Sequence, residues 1–179
     1  MRQTLIVLTA VSALALPAMA QADGTSTDPN ASQACKTQRT QMGTGAFEAT
    51  YGTNANKSNA FGKCVSKMAS AQSGDTTASN SKCKTEQSDA NFAATHGGKT
   101  FDQFYGTNKN GKNAFGKCVS AQSSKAADAR NDAVVSAAKT CKAERKLDPA
   151  AFKVKYGTNK NKSNAFGKCV SKAAKASKS

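Results

Sequence analysis

Three near-identical copies of one motif constrain this chain more than any other feature. The motif reads YGTNANKSNAFGKCVSK at 51–67, YGTNKNGKNAFGKCVSA at 105–121 and YGTNKNKSNAFGKCVSK at 156–172. Copies this alike should build the same supersecondary unit three times, so the chain reads as a repeat protein. A unit of roughly 30–45 residues rarely buries enough apolar surface to be stable alone. Stacking or cross-linking has to supply the rest.

Six cysteines follow the same repeat. Each copy has one before its loop and one after: Cys35 and Cys64, Cys83 and Cys118, Cys141 and Cys169. An even count suits a disulfide framework in an oxidising compartment. Pairing within each copy is the expectation, with a cross-copy link such as Cys64 to Cys83 as its main rival. Closing a loop of ~30 residues contributes ~3.5 kcal/mol on the chain-entropy estimate, enough to decide whether a small unit folds. The chain has no Cys-x-x-Cys and a single histidine, His96, so no metal site is expected.

The first twenty residues look like a signal peptide. Arg2 supplies the charge, 5–16 is a largely apolar run without charges, and Ala18-Met19-Ala20 is a small-x-small cleavage site. That run is too short for a bilayer span of about 20 residues. Cleavage after Ala20 and a secreted or extracytoplasmic protein are the expectations. Residues 21–30 form a polar, Gly- and Pro-bearing leader, expected to be disordered. Repeat 1 then occupies 31–73, repeat 2 occupies 75–130 with an insert at 89–100, and repeat 3 occupies 131–179 with a Lys-rich end.

Each copy predicts an all-α unit of helix, short helix, loop and helix. Asp28-Pro29 should open a helix reaching about Gln41, and Gly43 and Gly45 should break it. A short helix from Ala46 should end at Tyr51, with Gly52 as a left-handed cap. Ser58 or Asn59 can cap the third helix, where Phe61, Cys64, Val65 and Met68 form one apolar stripe. Gly62 should permit close backbone approach, and the helix should stop by Gly74. His96 lies in a His-Gly-Gly turn and reads as a solvated loop residue. The stretch 113–147 contains no Pro and only Gly116, so it runs as one helix or breaks near Asn131-Asp132. Asp148-Pro149 should start a short helix capped by Gly157.

Nine of the eleven aromatics occupy three repeated places: Phe47, Phe101 and Phe152; Tyr51, Tyr105 and Tyr156; Phe61, Phe115 and Phe166. The Phe-to-Tyr spacing of four puts each pair on one helical face. A set this regular reads as a repeated miniature core rather than a ligand platform.

Most of the net charge of +15 sits in the motif and the residues that follow it. Residues 51–69 hold three lysines, 105–125 hold four and 156–179 hold six, with no acid in any of these segments. The stretch 106–113 approaches a phosphate-binding loop, but Asn113 stands where the magnesium-holding hydroxyl belongs and no apolar strand precedes it. Calcium is excluded by lysines where carboxylate ligands are needed. Acid–base chemistry has little material: His96 lies in the insert, and a carboxylate pair would have to assemble from Glu86, Asp89 or Asp102. No catalytic residue and no cofactor is assigned.

What remains is a basic loop leading into a helix N-terminus, where backbone N–H groups and the dipole favour anions. The candidate anion-binding residues are Lys57, Lys63, Lys109, Lys112, Lys117, Lys160, Lys162 and Lys168. The expected function is a non-catalytic module for anionic polymers: envelope polyphosphate, acidic glycan or extracellular nucleic acid held non-specifically. The alternatives are a passive structural protein whose lysines are merely solvated and a cationic membrane-active effector.

Overall fold

The computed structural model describes residues 31–177, and these fold as eight helices with no strand among them. The expected signal peptide, leader and Asp28-Pro29 cap lie outside the described residues. In chain order the helices are α1 (Ala31–Met42), α2 (Thr44–Tyr51), α3 (Ala60–Ser88), α4 (Phe92–Thr95), α5 (Phe101–Tyr105), α6 (Ala114–Leu147), α7 (Pro149–Tyr156) and α8 (Ala165–Ala176).

Local chemistry accounts for three of the boundaries. Gly43 turns the chain between α1 and α2 at φ +82°, a left-handed conformation that favours glycine. Asp148 caps α7, accepting from the N–H groups of Ala150 and Ala151, with Pro149 in the first turn. Thr100 and Gln103 form a reciprocal capping box on α5.

Two expectations fail. Helix α3 does not stop by Gly74; it continues for 29 residues into the segment carrying Cys83. A lone exposed glycine costs about 1 kcal/mol in a helix, less than packing along α6 returns. Helix α6 takes the unbroken one of the two courses open to 113–147, running for 34 residues and joining the end of the second copy to the start of the third. The short helices also do not end in left-handed glycines. Gly52, Gly106 and Gly157 are extended, with φ of −69°, −69° and −74°. They are glycine for a different reason: a Cβ on Gly106 would lie 2.3 Å from the carbonyl oxygen of Asp102, and the other two are similarly crowded.

The disulfides pair within copies: Cys35–Cys64, Cys83–Cys118 and Cys141–Cys169, each with Cα atoms 6.0 Å apart. All six cysteines are buried. Each bridge ties the helix before a loop to the helix after it.

The three copies are not three beads. Phe47, Tyr51, Cys64 and Met68 of the first copy share one buried cluster with Val134, Phe152, Phe166 and Val170 of the third. The second copy has its own cluster of Cys83, Phe92, Phe101, Ala114 and Cys118. Antiparallel helices α3 and α6 connect the two cores. From Met68 to Cys83 the separation along α3 is about 22 Å. Between the cores, α3 meets α6 through small and polar side chains. Ser123 Oγ donates to Ser79 Oγ at 3.1 Å, and the Arg130 guanidinium pairs with Asp75.

The insert 89–100 explains how the second copy manages without a partner. Its Phe92 is buried, packing at 5.5 Å against Phe101. His96 is not simply solvated, as its turn suggests. Its ring stacks on Phe92 at 3.8 Å and its Nδ1 lies 2.8 Å from the Phe92 carbonyl oxygen. The insert thus brings apolar surface that the other copies obtain from each other.

Candidate anion-binding loops

The Asn-rich loop is built by side-chain hydrogen bonds that repeat in every copy. Asn59 Oδ1 accepts from Thr53 N–H at 3.0 Å while its Nδ2 donates to Thr53 Oγ1 at 2.7 Å. Asn113 with Thr107 and Asn164 with Thr158 make the same pair of bonds. Asn56, Asn110 and Asn161 accept through Oδ1 from the N–H two residues on, closing a second small turn. The Thr and two of the three Asn positions of the motif are therefore accounted for by loop closure.

This use of Asn59, Asn113 and Asn164 has a consequence at the helix starts. Each stands at the N-cap of α3, α6 or α8, yet none makes a side-chain capping bond. Their oxygens face back into the loop. In the first two copies the glycine in the opening turn, Gly62 or Gly116, is exposed with open space where a Cβ would lie. The close approach expected at Gly62 occurs only at its third-copy counterpart. A Cβ on Gly167 would lie 3.0 Å from the Thr50 carbonyl oxygen, so α8 starts against the end of α2. Two of the three helix starts are open and the third is covered.

The eight candidate lysines divide into two groups. Lys57 and Lys162 are half-buried and adopt left-handed backbone angles, φ 59° and 55°. Each Nζ donates to the carbonyl oxygen of Gly52 or Gly157 at 3.0 Å, stapling its own loop. In the second copy Gly111 stands at this place with φ +66°. The near-match to a phosphate-binding loop therefore arises because glycine replaces a strained lysine. Lys63, Lys109, Lys112, Lys117, Lys160 and Lys168 are exposed. None of these six forms an ion pair among the described residues, whose pairs are Lys82–Glu86, Arg130–Asp75 and Lys155–Glu144.

The nine repeated aromatics lie inside or against the cores rather than at the loop surface. Phe47, Phe101, Phe152 and Phe166 are buried, as is Tyr51; Phe61, Phe115, Tyr105 and Tyr156 are half-buried. The Phe–Tyr pairs repeat closely, with ring centroids 5.0, 5.0 and 4.9 Å apart and planes near 50° to one another.

A relationship missed in the sequence joins the tyrosines to the cysteines. The hydroxyls of Tyr105 and Tyr156 donate to Glu86 and Glu144, at 2.8 and 2.9 Å, and that of Tyr51 donates to Gln38. Each acceptor is three residues after the first cysteine of its copy. The signal was present as CKTQ, CKTE and CKAE at 35–38, 83–86 and 141–144. The acids therefore do not avoid the repeat unit; two of them occupy equivalent places in it. Burial pushes the Tyr105 hydroxyl up, and its bond to Glu86 adds to the rise. Lys155 bonds Glu144 as well, holding that carboxyl below its ordinary range.

Comparison with protein-family models, with curated proteins and with solved structures returned no match. No helix among the described residues is long and apolar enough to cross a membrane.

Proposed function

We propose that this chain is an exported, non-catalytic binding module for anionic polymers, gripping them through its exposed loop lysines. The observation that carries the reading is that Lys63, Lys109, Lys112, Lys117, Lys160 and Lys168 are exposed without an acidic partner among the described residues. Uncompensated like charges raise the local potential and attract polyanions, releasing their counterions. The starts of α3 and α6, which have no side-chain cap, add the favourable end of the helix dipole beside Lys63 and Lys117. Because the two cores are about 22 Å apart along α3, a polymer can engage both ends at once.

Export is supported by the N-terminal processing pattern and by three disulfides. The membrane-active alternative is disfavoured because Phe166, Cys169 and Val170 of α8 are buried in the shared core.

The test uses the second copy, whose lysines are all exposed and whose core is its own. The oxidised protein is applied to heparin, polyphosphate and single-stranded DNA over a range of salt. Binding should fall steeply with salt, and Lys109→Gln, Lys112→Gln and Lys117→Gln together should weaken it and flatten the salt slope. Each change should cost less than ~0.5 kcal/mol of stability. No salt-dependent retention of the wild type would leave the passive structural role.

A further inference from the structure

A separate cleft opens where the first and third copies meet, between α2, α3, α6 and α8. Its volume is about 190 Å³. Met68, Val134, Val170 and Ala174 line it with the Tyr51 ring, and Thr50 and Ser171 add two hydroxyl-bearing side chains. Lys67, Lys175 and Arg130 stand around it. Arg130 is committed to Asp75, but neither lysine has an acidic partner among the described residues. The Lys67 ammonium lies 5.8 Å from the centre of the Tyr51 ring.

We propose that this cleft binds a small organic anion, a monocarboxylate with an aryl or short acyl body, its head between Lys67 and Lys175. The volume exceeds the ~150 Å³ that admits benzene in an engineered apolar cavity, so one ring or a short chain fits. The apolar side chains of the lining suit such a body, while the two ammonium groups gain from an anion between them. Lys67 is an exposed residue beside the cleft. Loss of hydration at the cleft wall, and then repulsion from Lys175, hold its pKa below the ordinary lysine value. A bound carboxylate reverses the second effect. None of these groups is a loop lysine, so the site is independent of polymer binding and either can fail without the other.

The experiment titrates the oxidised, isotope-labelled protein with octanoate and benzoate and follows backbone amide shifts. Octanol, acetate and inorganic phosphate are the comparisons. Octanoate should move the amides of Met68, Val134 and Val170 in a saturable way. Lys67→Gln with Lys175→Gln should weaken octanoate about tenfold or more while leaving octanol unchanged. Ala174→Leu, which fills the cleft from a half-buried position, should abolish both while keeping the wild-type spread of amide signals. The proposal is overturned if octanoate leaves these amides unmoved, if acetate or phosphate binds as tightly as octanoate, or if the shifts gather at Lys109, Lys112 and Lys117 instead.

Discussion

The hydroxyl of Tyr51 donates to the side-chain oxygen of Gln38, and the equivalent tyrosines of the other copies donate to a glutamate at the same place. The exception follows from burial. Gln38 is fully buried, whereas Glu86 and Glu144 reach solvent in part. Its Nε2 donates to Asn131 Oδ1 at 2.7 Å and touches the Met68 sulfur at 3.7 Å. An amide supplies both the acceptor for Tyr51 and the donor for Asn131 without burying a charge.

Gln38→Glu should therefore destabilise the protein by about 2–4 kcal/mol at neutral pH, because it buries a carboxylate and removes a donor. The sign of its pH dependence is defined. Burial raises the new carboxyl's folded pKa, so stability is near wild type below its unfolded value and is lost as pH rises through the folded one. Glu86→Gln should stay within about 1 kcal/mol, and Glu144→Gln should change stability less than Gln38→Glu does. Denaturant melts at acid and neutral pH measure all three.

Tyr51 should ionise only well above the ordinary tyrosine range. Burial pushes its hydroxyl up to about 12, the bond to Gln38 opposing part of the rise. A tyrosine whose folded pKa exceeds the unfolded value of 10.0 contributes stability that is complete below pH ~10 and lost as pH rises through ~12. The contribution is on the order of 2 kcal/mol. With three tyrosines and no tryptophan, tyrosinate absorbance resolves the event cleanly. Alkaline unfolding should accompany this event, and Tyr51→Phe should remove it.

The repeat made much of the architecture legible. Within-copy pairing of the cysteines, helices before and after each loop, the Asp148 cap and the buried aromatics all follow from spacing and local chemistry. The joins between copies were less legible. Gly74 looks like a stop in one dimension, but α3 is held by packing on α6, through contacts such as Ser79 with Ser123 that no local pattern announces. The sharing of one core by the first and third copies is equally non-local. At the loops, lysine type gave no hint that Lys57 and Lys162 turn inward to a glycine carbonyl. The Lys67–Lys175 cleft depends on that same packing of distant helices.

Gly74 tests the first of these points. It is exposed within α3 and has open space where a Cβ would lie. Gly74→Ala should stabilise the chain by about 0.5–1 kcal/mol, since helix propensity is then the only term that changes. A true helix end at this position would give no gain, or a loss. Thermal denaturation of the oxidised protein, with disulfides matched between variants, distinguishes the two.

Removing a disulfide should have effects that depend on which core it serves. The Cys83–Cys118 bridge closes 35 residues around the small cluster of Phe92, Phe101 and Ala114. Its chain-entropy contribution is about 4 kcal/mol, a large share of what so few apolar residues can supply. Cys83→Ala with Cys118→Ala should therefore expose α4, α5 and the adjoining ends of α3 and α6 to amide exchange. Phe47, Phe152 and Phe166, which lie in the other cluster, should keep their protection. Removing Cys35–Cys64 should instead loosen the first and third copies together, because their side chains fill one core. Loss of protection at Phe152 and Phe166 in the Cys83/Cys118 variant would mean that α3 and α6 couple the two cores into one cooperative unit despite the polar contacts between them.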